Sequence, residues 1–392
     1  MATHALDSSR ASAGVAQVLD GLDYARARTF ALIEHLKDDQ LERVYSPIMS
    51  PLVWDLGHIA AYEDLWLAHR LGEHELLRPD LAALYDAFET PRAIRGDIET
   101  LGPDDARDYL AEVRARTVHT LGERGVGDGV ICEMVVRHEL QHGETMRQAM
   151  VIAGLLGEAD AAMRDRPLTG PAAERDASSA AASEDWIEVP AGAFAMGAPS
   201  DGFAYDNERP RHERRTPSFQ IARRPATNAE WLRFAELGGY ERAELWSEQG
   251  WAWLAESQQP QPGAAHPAIA AGHPQAPACH VSWFEAQAFA RAHDARLPSE
   301  AEWEKAATLE GSPLDGVGRV WEWTESAFRG YPGFVAHPYR EYSEVFFGES
   351  YRVLRGASWA TDARVAGPHF RNWDLPQRRQ IFAGVRLARD GG

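Results

Sequence analysis

The sequence predicts two structural parts, a helical bundle followed by an irregular α+β domain, and three observations carry the reading. The chain has 392 residues, more than one hydrophobic core usually organises. Apolar residues recur at three- and four-residue spacing through roughly the first 160 residues, as amphipathic helices require. Beyond Trp186 that period gives way to short alternating runs punctuated by Gly, Pro and Trp, the texture of short strands joined by turns.

Taken in order, helices are predicted near Gly14–Leu36, Pro51–Leu71, Pro103–Arg124 and Gly129–Leu156. In the second, Leu56, Ile59, Ala60 and Glu63 form a stripe flanked by Trp66 and Leu67. Four such segments favour a four-helix bundle over residues 1–163. Residues 164–185, RDRPLTGPAAERDASSAAASED, offer almost nothing to bury and read as a linker. Residues 186–392 form the second domain. There Trp186–Met196 alternates as a strand would, and helices are predicted over Trp283–His293 and Ser299–Ala307. The alanine-rich stretch Ala264–Ala278 reads as a surface loop. No internal repeat is visible.

Composition narrows the function. A net charge of -19, from 40 basic and 59 acidic residues, argues against a nucleic-acid or anionic-membrane partner. Two cysteines, Cys132 and Cys279, make no disulfide framework and fit a reducing compartment. The first residues lack the apolar core of a signal peptide, and no later run is long enough to cross a bilayer. A cytoplasmic protein, monomeric or a small homo-oligomer, is expected.

The strongest local signal is RHELQHGETM, Arg137–Met146. On a helix, His138 and His142 stand one turn apart on one face, as two cis ligands of one metal must. Glu144 falls off that face. Two ordinary surface histidines would look the same. The string also satisfies the H-E-x-x-H pattern of zinc peptidases, with Glu139 as general base. Against that, Arg137 and Gln141 flank the ligands and no third zinc ligand follows in the usual extension. A third histidine lies upstream in WDLGHIAAYEDLW, where His58 has Trp54 at i−4 and Tyr62 at i+4. Alone it reads as a core side chain; in a bundle, facing helices can bring it to the other two. Three imidazoles suit zinc, copper or iron equally by spacing.

The combination of W-D-x-G-H, H-x-x-Q-H-x-E and a second domain of this texture resembles the sulfoxide synthases of ergothioneine biosynthesis. The first half resembles a DinB-like four-helix bundle. The second resembles the formylglycine-generating-enzyme domain, a variant of the C-type-lectin fold. Its motifs stand in order: VPAGAFAMG (Val189–Gly197), DNERPRHE (Asp206–Glu213), LPSEAEWEKAA (Leu297–Ala307), VWEWT (Val320–Thr324), VLRGASWAT (Val353–Thr361) and FAGVRLA (Phe382–Ala388), with YPGF (Tyr331–Phe334) and FRNWDLPQRRQIF (Phe370–Phe382) between them. Most of these are scaffold motifs and say little about chemistry. Formylglycine generation is not expected, because that chemistry uses a cysteine pair on copper and this domain offers only Cys279.

The resemblance implies Fe(II) held by His58, His138 and His142, and dioxygen-dependent joining of a thiol, γ-glutamylcysteine, to the imidazole carbon of hercynine (Nα-trimethylhistidine), with oxidation of the sulfur. It places Gln141 near the imidazole, and Asn372 and Trp373 against the betaine, where an indole also suits a trimethylammonium. Asp374 and Arg378 resemble the pair that holds the ammonium and carboxylate of the thiol. A further arginine is expected from TPRAIRG, either Arg92 or Arg95. A tyrosine proton donor is expected among Tyr331, Tyr339 and Tyr342, with Tyr331 and Tyr339 preferred; Phe328 stands where a tyrosine sometimes appears.

The sequence departs from the family in two places. Glu304–Val320 runs almost directly into VWEWT, where a longer insertion is common, and the segment after Trp253 is poor in aromatics. Both bear on the sulfur donor. Selenoneine synthases share both domains and the three histidines and use a selenosugar, the alternative reading; Asp374 and Arg378 favour the amino-acid thiol.

Overall fold

The computed structural model describes residues 2–168, 186–256, 266–311 and 313–391, and separates into two compact units, Met1–Glu158 and Ala159–Gly392. The first contains four long helices: α1 (Ala2–Ile33), α2 (Leu52–Glu63), α3 (Pro103–Arg124) and α4 (Val130–Ala153). Helix α1 packs on α4, while α2 lies against both α3 and α4. Every residue from Leu52 to Ala60 is buried, as a helix covered on several sides requires. Its side chains meet Leu32, Leu110, Val113, Met146 and Met150 in one core.

Local sequence sets the ends. Pro103 opens α3 at its first position, where the missing N–H costs nothing. Gly129 and Gly154 flank α4 with φ of 77° and 68°, left-handed conformations that favour glycine. Helix α2 continues without a break as a π-helix over Asp64–Leu71, so the predicted segment is one rod with two windings.

A buried ionic network ties the rods together. Arg26 of α1 donates to Glu63 at 2.9 Å and to Glu139 of α4 at 2.8 Å. Arg114 of α3 donates to Glu63 at 2.8 Å, and Thr29 donates to Glu139 at 2.9 Å. Burial alone would raise the pKa of Glu63, but hydrogen bonding and charge from Arg114, with Arg26, hold it below the usual carboxylate range.

The second unit is built from short strands: β1 (Trp186–Val189), β2 (Gly192–Met196), β3 (His212–Thr216), β4 (Phe219–Ala222), β5 (Trp321–Ala327), β6 (Arg352–Arg355), β7 (Asn372–Asp374), β8 (Ala383–Gly384) and β9 (Ala388–Asp390). They form sheets of order β1-β4-β9, β2-β3 and β7-β6-β5-β8, antiparallel except for β5 with β8. The helices Trp283–Ala292 and Glu300–Ala307 both start on a serine whose hydroxyl accepts the backbone N–H three residues on, Ser282 from Glu285 and Ser299 from Glu302. These are reciprocal capping boxes, spelled S-x-x-E in the sequence. Trp303, Phe219, Ile221 and Val189 share a core, and two buried ion pairs, Arg355–Glu304 at 2.5 Å and Arg386–Glu322 at 2.7 Å, brace it.

Three expectations are corrected. The alternating run Trp186–Met196 is two strands in different sheets, broken at Pro190 and Ala191, because proline has no N–H for a ladder. The alanine-rich stretch is not a surface loop where it is described: Pro267–Ala271 is a short helix, and Ile269, Ala276 and Ala278 are buried. Alanine is small enough to sit under a packed neighbour, so its abundance does not imply exposure. Of the segment 164–185, Arg164 ends a helix begun at Glu158, and Leu168 is buried with its N–H on the Gln275 carbonyl; residues 169–185 lie outside the described residues. No helix among the described residues is long and apolar enough to cross a membrane.

Candidate metal centre

Helices α2 and α4 bring His58, His138 and His142 together, one ligand nitrogen of each lying within 4.8 Å of the others. The Nε2 atoms of His58 and His138 stand 3.1 Å apart. Two nitrogens about 2.1 Å from a common metal lie about 3.0 Å apart at a right angle, and about 3.4 Å apart at a tetrahedral one. The spacing suits a cis pair on a metal with further open positions.

Each ring is oriented differently. His58 donates from Nδ1 to the Tyr85 carbonyl at 2.6 Å, which leaves Nε2 for the metal, and Trp54 stacks on it at 4.8 Å. His142 uses Nδ1 on Asp55 Oδ1 at 2.8 Å. Tyr62 covers His138, ring parallel to ring at 3.6 Å. Burial, then the neighbouring imidazoles, holds His58 and His138 well below the ordinary histidine pKa. Neutral imidazole is the form that ligates metal.

Gly57 explains part of W-D-x-G-H. A Cβ there would come within 2.1 Å of the Tyr85 ring, so only glycine lets that tyrosine lie close enough for its carbonyl to reach His58. The ring is fixed in turn by the Leu101 N–H, which donates to its hydroxyl at 3.0 Å.

Glu139, the base required by a zinc peptidase, is 2% exposed and engaged by Arg26 and Thr29. Its carboxylate is part of the helix-holding network, and the H-E-x-x-H match is a coincidence of spacing. Glu144, off the ligand face of the helix, is buried.

The remaining predicted residues fall in several settings. Gln141 is half-buried on α4 beside His142. Arg95 is buried and its guanidinium lies 3.5 Å over Trp54. It donates to the Thr90 carbonyl, Ser50 Oγ and the Ala87 carbonyl, and burial pushes its pKa down to about 10. Arg92 is exposed on the same loop. In the second unit, Asn372, Trp373 and Asp374 form β7, an edge strand paired to β6. The half-buried Trp373 indole stacks on Phe328 at 4.2 Å with Phe346 at 5.6 Å and Tyr342 at 6.0 Å. Asp374 accepts from the Leu375 N–H and Gln380, with Arg378 Nε 3.9 Å away. Tyr331 is buried beside Met196 and Ala301 under the Arg371 guanidinium; burial, then Glu300, pushes its pKa up. Tyr339 is half-buried, edge-on to Tyr342.

Sequence reasoning missed Asp55, Tyr85 and Tyr62 as partners of the ligands. Asp55 and Tyr62 sit three residues before and four after His58, on its own side of the helix, so their spacing was a usable signal. Tyr85 acts through its carbonyl, which no side-chain pattern reveals.

Both units are similar to known protein families. The Sulfatase-modifying factor enzyme 1-like domain family matches residues 172–313 and 313–391, and the DinB superfamily matches residues 22–126. The hercynine oxygenase of Mycolicibacterium smegmatis is 39% identical over 95% of this chain and 98% of its own. That of Mycobacterium tuberculosis is 39% identical over 93% and 97%. Ergothioneine biosynthesis protein 1 of Schizosaccharomyces pombe is 22% identical over 91% of this chain and 54% of its own. Matched at such identity over nearly its whole length, the chain belongs to the hercynine oxygenase family.

Proposed function

We propose that this protein is an Fe(II)-dependent hercynine oxygenase that joins γ-glutamylcysteine to the imidazole carbon of hercynine and oxygenates the sulfur. The three-histidine cluster carries the reading, in a chain similar to hercynine oxygenases almost end to end. The overall change consumes one dioxygen: the thiol and the imidazole C–H become a sulfoxide-bridged product, and water is released. Joining carbon to sulfur and oxidising the sulfur each give up two electrons, together the four that dioxygen takes. No external reductant is needed. When bound, Fe(II) would supply the redox chemistry that activates dioxygen.

The chain's own residues bind and orient. His58, His138 and His142 would hold the metal through one nitrogen each. Gln141, beside His142, is suited to hydrogen-bond the hercynine ring. Trp373, held rigid by Phe328, offers its face to the trimethylammonium, and Asn372 adds an amide at the same strand. Asp374 and Arg378 take the ammonium and carboxylate of the thiol; Arg378 Nε is buried and makes no hydrogen bond among the described residues, so it gains one when a carboxylate arrives. Arg92 is free to reach a ligand, whereas Arg95 is committed to its loop and serves chiefly to fix it. Of the two preferred tyrosines, Tyr339 is half-buried and within reach of a ligand, and is the proton donor; Tyr331 belongs to the packed interior.

Anaerobic Fe(II) loading followed by mass spectrometry of aerobic reactions tests the assignment, with hercynine set against γ-glutamylcysteine, cysteine and a selenosugar. The expected product is the γ-glutamylcysteine sulfoxide adduct. Preferential formation of the selenium adduct would overturn the donor, and no adduct with any of the three would overturn the function.

A further inference from the structure

The three ligands differ in what stands behind them. His58 donates to a neutral carbonyl. His138 has Tyr62 parallel to its ring and no Nδ1 hydrogen bond among the described residues. His142 alone faces a carboxylate, that of Asp55, which is 2% exposed. Asp55 lies on α2, one turn before His58, so a single helix supplies one ligand directly and controls another on α4.

We infer that Asp55 is the positioning residue that makes His142 the strongest electron donor of the three ligands, and so sets metal affinity and reduction potential. The inference rests on the metal reading above. A carboxylate on Nδ1–H fixes the tautomer with Nε2 free, holds the ring plane, and increases the basicity of the ligating nitrogen. A carbonyl does the first two with less of the third, and a stacked ring constrains the plane alone. The site is therefore graded, with one charge-assisted ligand, one dipole-assisted ligand and one held by packing. Arg95 contributes from behind: its charge interacts with Asp55 while its guanidinium caps Trp54, which stacks on His58. No water-exposed route to Asp55 is needed for this role, in keeping with its burial.

The test is anaerobic titration of the full-length apo-protein with Co(II), read by calorimetry and by the visible bands of the bound ion, for wild type, Asp55→Asn, Asp55→Ala and His142→Ala. Asp55→Ala is expected to weaken Co(II) binding about 10- to 100-fold. Asp55→Asn can still accept from Nδ1 but lacks the charge, so it is expected to bind more weakly than wild type with shifted bands and, with iron, a higher reduction potential. Bands and potential would not move if Asp55 served only to hold the fold. Wild-type affinity and spectra in both Asp55 variants, with binding lost in His142→Ala, would overturn the inference and leave the metal site standing. Failure of the wild type to take up either Co(II) or Fe(II) would overturn the metal reading and this inference together. Should Asp55→Ala not fold, the near-isosteric Asp55→Asn decides by its bands and potential.

Discussion

His58 and His138 are 80 positions apart in sequence, yet their Nε2 atoms stand 3.1 Å apart. Two neutral imidazoles meet at that distance either through an N–H···N hydrogen bond or around a shared cation, and the metal reading takes the second. His58→Ala should therefore abolish stoichiometric Fe(II) uptake and lower turnover at least about 100-fold, equivalent to about 2.7 kcal/mol of barrier. Metal analysis of the purified variant, beside its far-ultraviolet circular dichroism, checks this without relying on activity.

Gly57 should be as sensitive as a ligand. Substituting alanine forces the Tyr85 ring away and displaces the carbonyl that orients His58. A loss of about 1–3 kcal/mol in stability is expected from overpacking, with weaker metal binding beyond it. Comparing metal affinity at a temperature where the variant is fully folded separates the two effects.

Arg92 and Arg95 should diverge. Arg92→Ala is expected to raise KM for γ-glutamylcysteine about 10- to 100-fold, the worth of a charged hydrogen bond, with the melting temperature unchanged. Arg95→Ala is expected to lower the melting temperature as well, since three hydrogen bonds and the Trp54 contact are lost. Equal KM effects and equal melting temperatures would contradict the division of labour.

The helix network predicts an acid-labile fold. The pKa of Glu63 is lowered in the folded chain, as is that of Glu304 beside Arg355, where burial raises it and the ion pair prevails. Such groups bind protons more readily unfolded, so their stabilisation is complete above the ordinary glutamate value and is lost as pH falls through the folded one. Stability measured by urea unfolding should fall steeply below about pH 4.5, and Glu63→Gln should flatten that slope. In the same assay Glu139→Gln should cost about 3 kcal/mol, because it leaves buried Arg26 without one of its partners, while the folded variant keeps its metal.

Much of this was legible from residues alone. The periodicity around Leu56 and Ile59 located α2, and the i, i+4 histidines of α4 announced a shared face. The helices expected over Trp283–His293 and Ser299–Ala307 are found at Trp283–Ala292 and Glu300–Ala307. What stayed hidden depends on tertiary approach: the Tyr85 carbonyl on His58, the burial of Arg95, and the engagement of Glu139 by Arg26 some 113 residues earlier. Local spacing offered Glu139 a peptidase role, against which the missing third zinc ligand already spoke, and its engagement by Arg26 and Thr29 removes it. Proline at position 190 could have warned that one alternating run was two strands.

The most direct test of the account is a single-turnover reaction of anaerobically iron-loaded protein with hercynine, γ-glutamylcysteine and isotopically labelled dioxygen, read by mass spectrometry of the product. The account predicts a sulfoxide adduct carrying one labelled oxygen, formed only when iron is present. An adduct whose oxygen is unlabelled, or one that forms equally in metal-free protein, would contradict it.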